Sequence, residues 1–66
     1  MDTPKTNIRV RLTGQNGNVF NLMGIVRRSL REHGYPELAK EMMEAVMACH
    51  SYEEALAKFT EYVIVE

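Results

Sequence analysis

Apolar and polar residues alternate near the start of the chain. Ile8, Val10 and Leu12 are apolar, and Arg9 and Arg11 stand between them. A period of two places apolar side chains on one face of a β-strand and polar side chains on the other. The pattern therefore predicts a strand with one buried face and one face exposed to solvent.

A helical pattern follows the turn-forming residues 14–18. Apolar residues now recur at steps of three and four, which places them on one face of a helix. This stripe consists of Val19, Leu22, Met23, Val26 and Leu30, and it is widened by Phe20 and Ile25. Asn18 is expected to cap the helix by accepting a hydrogen bond from the backbone N–H of Asn21. Gly24 costs roughly 1 kcal/mol relative to Ala inside a helix, so we expect another backbone to approach it closely.

The same residues allow one alternative. Asn16 and Gly17 favour a type I′ hairpin turn, which would lead into a second strand over residues 18–23. The apolar residues of that segment do not keep a period of two, so the helix is the favoured interpretation.

Two further helices and a second strand are predicted. Gly34 suits the left-handed position that ends a helix, and Pro36 suits the first position of the next one. Ser51 and Glu54 have the spacing of a capping box at the start of a third helix, and the sequence does not decide whether the second and third helices merge. The expected buried positions are Leu38, Met42, Ala45, Val46 and Cys49 in the second helix and Ala55, Leu56 and Phe59 in the third. A β-branched and aromatic run over residues 62–65 predicts the final strand.

These elements predict a small α+β domain with the order β-α-α-(α)-β, in which two or three helices pack on a two-stranded sheet formed by the N- and C-terminal strands. We expect this single domain to cover residues 7–66 and residues 1–6 to form a flexible tail. Three helical passes would make the strands parallel, and an even number would make them antiparallel. A two-stranded sheet keeps open edges, and open edges recruit further strands.

The size of the chain limits how it can be stabilised. It has 66 residues, one cysteine and two histidines, which excludes an intramolecular disulfide and leaves too few ligands for a structural zinc site. A domain this small needs either an efficient core or a second copy of itself. The single thiol and the lack of a signal or membrane-spanning pattern favour a cytoplasmic protein without membrane contact. We expect no metal and no other cofactor.

Charge is distributed unevenly along the chain. Residues 1–34 carry six Lys and Arg against two Asp and Glu, a net charge of +4, and residues 35–66 carry two against seven, a net charge of −5. The arginines that would suit contact with nucleic acid are Arg9, Arg11, Arg27, Arg28 and Arg31. The net charge of −1 and the few aromatic platforms are not typical of nucleic-acid-binding domains, so pairing with the acidic half is favoured.

The loop between Gly14 and Gly17 is a candidate anion site. It lies between a strand and a helix N-terminus, where free N–H groups and the helix dipole attract phosphate. It lacks the complete phosphate-binding motifs, and two glycines at this spacing are common in ordinary turns. A tight connection is therefore the favoured interpretation.

Cys49 and His50 are adjacent in the sequence and are the candidates for a catalytic nucleophile and base. Neighbours on a helix point about 100° apart, and Cys49 falls on the apolar stripe, so a buried structural thiol is favoured. No nucleophile, base and orienting group occur together, and we expect no enzymatic activity.

Met43 and Met47 stand four residues apart beside the stripe of the second helix. They either pack under the third helix or contribute to an interface, for which flexible thioether side chains are suited. Tyr62 and Ile64 of the final strand are the other candidates for an interface.

Three segments of the chain resemble one group of proteins. They are residues 12–20, the glycine-containing helix with Arg28-Ser29-Leu30-Arg31, and the ending Tyr62-Val63-Ile64-Val65. Short uncharacterised bacterial and phage-associated proteins carry a similar L-x-G-x-[DN]-G-N-x-F segment, helix and ending. The resemblance spans most of residues 8–66, although those proteins have an acidic, small-residue segment where this chain has Met47-Ala48-Cys49-His50. It implies no activity.

We therefore expect a non-catalytic protein–protein interaction module that associates with a second copy of itself or with another protein. The alternative is an accessory nucleic-acid-binding protein that uses the five arginines.

Overall fold

The computed structural model describes residues 3–12 and 17–66, and within them three helices separate two short strands. The elements are β1 (Arg9–Val10), α1 (Val19–Glu32), α2 (Pro36–Met47), α3 (Tyr52–Phe59) and β2 (Ile64–Val65). The strands pair in parallel, with Arg9 opposite Ile64 and Val10 opposite Val65. The predicted α+β fold, with a sheet formed by the two terminal strands, is confirmed. Three separate helices connect β1 to β2, and the two strands are parallel. This agrees with the expectation that three helical passes make the strands parallel.

Residues 5 and 6, which the sequence assigns to the tail, are held against the domain. The backbone N–H of Lys5 donates to the carbonyl of Glu61 at 2.9 Å, and that of Thr6 donates to the carbonyl of Tyr62 at 3.2 Å. Thr6 is buried, and its hydroxyl donates a further hydrogen bond of 2.7 Å to the same carbonyl of Tyr62.

The core lies between the sheet and the three helices. Ile8, Val10 and Leu12 are buried while Arg9 and Arg11 are exposed, as the alternation predicts. The remaining buried apolar residues are Leu22, Met23, Val26, Leu30, Ala39, Met42, Val46, Ala55, Phe59, Tyr62 and Val63. None of the helices in the described ranges has the length and apolarity to cross a membrane.

Helix α1 begins at Val19, so the alternative of a second strand over residues 18–23 is wrong. Asn18 caps the helix as expected, and its side-chain oxygen accepts from the N–H of Phe20 at 2.8 Å.

The end of α1 agrees with the prediction. Gly34 has a φ of 87°, in the left-handed region. Its N–H donates to the carbonyl of Arg31 at 3.1 Å, and the N–H of Tyr35 donates to that of Leu30 at 2.8 Å. These are the two hydrogen bonds of a Schellman motif, and α2 starts immediately afterwards at Pro36.

Two expectations about α1 are wrong. Phe20 is 63% exposed and does not belong to the core. A Cβ built at Gly24 would meet no described atom within 4 Å beyond its own helix, so no backbone approaches it closely. At 100° per residue, Gly24 points about 150° away from the centre of the buried stripe. It therefore faces outward.

Helix α2 is rotated slightly from its expected orientation. Ala39 is buried together with Met42 and Val46, whereas Leu38 and Ala45 are half-buried. Ala39 is 2% exposed, and the larger Leu38 is partly buried and packs against the margin of the core.

Helix α3 begins with the predicted cap. The hydroxyl oxygen of Ser51 accepts from the N–H of Glu54 at 3.1 Å. The Glu54 carboxylate accepts in return from the N–H of His50, at 3.1 Å, one residue earlier than in a standard capping box. Of the three apolar positions predicted here, Ala55 and Phe59 are buried and Leu56 is half-buried.

Replacement of Gly24, inside α1, and of Gly34, just after it, should change the free energy of unfolding in opposite directions. Gly24→Ala should raise the free energy of unfolding by about 1 kcal/mol, because Ala has the higher helix propensity and the added methyl group meets no clash. Gly34→Ala should lower it by about 1 to 2 kcal/mol, because an L-residue is strained at positive φ. Urea denaturation of both variants measures the difference. A destabilised Gly24→Ala variant would show that another group does pack at this position.

Candidate interaction surface

Three helix ends enclose an apolar groove of about 330 Å³. They are the first turn of α1, the C-terminal end of α2 and the first turn of α3, and their spacing is set by the core residues between them. The groove is lined by Val19, Phe20, Met23, Val46, Met47, Cys49, His50, Ser51, Tyr52 and Ala55. We call this surface the apolar groove.

Exposed apolar side chains are concentrated at the apolar groove. Among the described residues, four large apolar side chains are exposed, and Phe20, Met47 and Tyr52 all line the groove. Phe20 and Met47 are 63% and 64% exposed. Tyr35, the fourth, lies elsewhere at the start of α2. Exposed apolar patches of this kind mark interaction sites more often than scattered apolar residues do.

Within residues 3–12 and 17–66, no residue with a formal charge lines the apolar groove. The surrounding surface is different, since α1 exposes three arginines and α2 exposes Glu37, Glu41 and Glu44. The described lining of the groove is therefore uncharged, whereas the exposed faces of α1 and α2 are charged.

The residues expected at an interface lie in separate places. Met47 lies at the mouth of the apolar groove, and Met43 is half-buried and packs against the core. Ile64 is half-buried in β2, whereas Tyr62 is 3% exposed and belongs to the core. The backbone bend between α3 and β2 turns the Tyr62 side chain inward, which the pattern of a four-residue strand does not predict.

Tyr62 joins three parts of the chain. Its hydroxyl donates a hydrogen bond of 2.7 Å to the Glu41 carboxylate of α2, and the Lys5 ammonium lies 5.7 Å from the centre of its ring. Lys5 and Glu41 also form an ion pair at 4.0 Å. Burial raises the pKa of the Tyr62 hydroxyl to about 12, and the hydrogen bond to Glu41 and the charges of Glu41 and Glu61 act in the same direction.

The five arginines lie on two segments. Arg9 is exposed in β1 and Arg11 is exposed directly after it, and Arg9 pairs with Glu66 at 2.9 Å. On α1, Arg27, Arg28 and Arg31 surround an open depression beside Gly24, and Arg28 pairs with Glu32 at 3.3 Å. No other ion pair of these arginines occurs within the described part of the chain.

The candidate anion loop can be placed only in part. Gly14 lies outside the described residues, and Gly17 is exposed. A Cβ at Gly17 would lie 3.5 Å from the hydroxyl oxygen of Tyr52, so this end of the loop adjoins the apolar groove.

Cys49 and His50 follow the end of α2 and do not belong to a helix. The Cys49 thiol is half-buried, and it donates to the carbonyl of Ala45 at 3.4 Å. Among residues 3–12 and 17–66, no three His, Cys, Asp or Glu side chains gather as a set of metal ligands would.

The periodic pattern wrongly places Phe20 on the apolar stripe of α1, whereas it leaves Tyr52 outside the buried set predicted for α3. Both lie at helix N-termini, where the apolar period has just begun and gives little information on which way a side chain points. Their spacing from the caps Asn18 and Ser51 is the available signal, because a residue in the first turn has fewer neighbours to bury it.

The raised pKa of Tyr62 predicts a loss of stability at alkaline pH. Because the folded pKa lies above the unfolded value, the contribution is fully present below pH 10 and is lost as the pH rises to about 12. Tyr62→Phe should lower the free energy of unfolding by about 1 kcal/mol at neutral pH, because it removes the hydrogen bond to Glu41. Urea denaturation of both proteins should show the difference between them shrinking from pH 10 upward. A constant difference across that range would contradict the assignment.

No family model, curated protein or solved structure matches the chain with statistical significance. The similarity to short bacterial and phage-associated proteins therefore stays a prediction. The surface of the molecule itself is then the basis for assigning a function.

Proposed function

We propose that the protein is a non-catalytic interaction module that forms a homodimer through the apolar groove. The observation that supports this proposal is the gathering of Phe20, Met47 and Tyr52, all exposed, around one groove. Each full burial of a side chain of this size contributes roughly 2 kcal/mol. Several are needed to offset the loss of translational and rotational freedom on association.

The chemistry of the apolar groove favours a second copy as the partner. In a two-fold dimer the same patch meets itself, so a patch whose charges all have one sign brings like charges close together. The groove has no charged lining among the described residues and avoids this repulsion, whereas the arginine face of α1 and the glutamate face of α2 would not. A projecting Phe20 ring beside a groove also gives each copy both a protrusion and a recess.

Replacement of Phe20 tests the proposal. Sedimentation equilibrium of the unmodified protein should show a monomer–dimer equilibrium, and Phe20→Ser should raise the dissociation constant about tenfold or more. Tyr35→Ser is the matched control, since it also removes an exposed aromatic ring but lies away from the groove. Far-UV circular dichroism should show unchanged helix content in both variants.

A monomer at high micromolar concentration would remove the homodimer. An equal effect of Phe20→Ser and Tyr35→Ser would exclude the apolar groove as the interface.

We propose nucleic-acid binding as a second candidate function. The observation that favours it is the position of Arg27 and Arg31, which stand one helical turn apart on the exposed side of α1 without an ion pair in the described ranges. Gly24 leaves open space beside them. A phosphate backbone would match this row of guanidinium groups, since arginine binds phosphate with two parallel hydrogen bonds.

The salt dependence of binding tests the second candidate. A variant with Arg27, Arg28 and Arg31 all replaced by Ala should bind a single-stranded oligonucleotide more weakly than the unmodified protein does. The slope of log K against log salt should also fall by about 0.7 for each phosphate that the variant no longer neutralises. Replacement of Lys40 and Lys58 by Ala provides a control on the other helices. If the unmodified protein shows no salt-dependent binding, this candidate is excluded.

A further inference from the structure

We propose that the outer edge of β1 binds an acidic peptide in extended conformation as an added strand. This edge is separate from the apolar groove, and binding to it does not depend on the homodimer. The features that support the proposal are the unpaired backbone groups of β1 and the arginines between them.

The extended backbone of residues 6–12, which includes β1, is paired on one side only within the described ranges. Its bonds to the C-terminal segment use Thr6, Ile8, Val10 and Leu12. The amides of Ile64 and Glu66 donate to the carbonyls of Ile8 and Val10, each at 2.8 Å. The amide of Leu12 donates to the carbonyl of Glu66, also at 2.8 Å.

Successive residues of an extended backbone direct their N–H and C=O groups to opposite edges, so we infer that those of Asn7, Arg9 and Arg11 lie on the other edge. No backbone partner for these groups occurs in the described part of the chain. An unpaired row of this kind is a template for strand addition.

The side chains along this edge specify the charge of the partner. Ile8, Val10 and Leu12 turn toward the helices, so Arg9 and Arg11 project from the uncovered face of the sheet. An added strand has alternate side chains on that same face, beside the arginines. Acidic residues at those positions would pair with both.

The protein already contains one example of this pairing. Glu66, at the end of β2, accepts from the Arg9 guanidinium at 2.9 Å across the uncovered face. Arg11 has no ion pair among the described residues. A strand on the other side of β1 would supply the carboxylate that Arg11 lacks.

A second copy of the chain fits this edge poorly. Antiparallel pairing of β1 with its own copy would place Arg9 and Arg11 against the same arginines, and like charges opposite each other destabilise a sheet. The partner is therefore an acidic segment of another protein, with apolar residues at the alternate positions that face the helix layer.

Fluorescence anisotropy with a labelled peptide tests the inference. The probe is a peptide with blocked ends in which Glu and Val alternate over about six residues, the length of an ordinary strand. Arg11→Glu should weaken binding at least tenfold and create binding to the matching peptide of alternating Lys and Val. Arg31→Glu, with the same charge change on α1, should leave the affinity for the first peptide within twofold.

Amide hydrogen exchange locates the bound peptide. Saturation with the Glu-Val peptide should slow exchange at Asn7, Arg9 and Arg11 and leave the amides of α1 unchanged. Equal binding of a peptide with its glutamates in one block would overturn the inference, because charge alone would then account for the affinity.

Unchanged exchange at these three amides would also overturn it. So would protection of the same amides that rises with protein concentration in the absence of peptide, because a second copy would then occupy the edge. An oligonucleotide that displaces the peptide without slowing these amides would assign Arg11 to phosphate contact instead.

Discussion

The hydrogen bonds between residues 5–12 and residues 61–66 join the two ends of the chain, and all three helices lie in the loop that they close. Closure of a loop of this length costs about 3.5 kcal/mol of chain entropy. The hydrogen bonds between the two segments, which contribute about 1 kcal/mol net each, and the burial of side chains around the sheet both offset that cost. Thr6 and Tyr62 strengthen the pairing from the side, through the threonine hydroxyl and the contact of Tyr62 with Glu41.

The same arrangement determines which surfaces stay open. Three short helices cover one face of a narrow sheet, which leaves the other face, with Arg9 and Arg11, in solvent. One end of each helix also lies at the apolar groove. The first turns of α1 and α3 have too few neighbours there to bury Phe20 and Tyr52. The apolar groove and the open strand edge are therefore both consequences of building a core from few elements.

Much of the fold follows from local patterns in the sequence. The period of two in β1, the cap at Asn18, the positive φ of Gly34 and the start of α2 at Pro36 each depend on a few neighbouring residues. The surface depends on distant contacts, which a periodic pattern does not contain. The expectations for Gly24 and Phe20 are wrong for this reason, since only the packing of α1 on its neighbours decides which side of the helix is covered.

The parallel pairing also has a consequence for synthesis on the ribosome. The partner of β1 is made more than fifty residues later, so β1 emerges without it and stays unpaired until residues 64–66 have left the exit tunnel. The contacts among the three helices are closer in sequence and form earlier. During that interval Ile8, Val10 and Leu12, which are buried in the folded domain, lack the partner strand that helps to cover them.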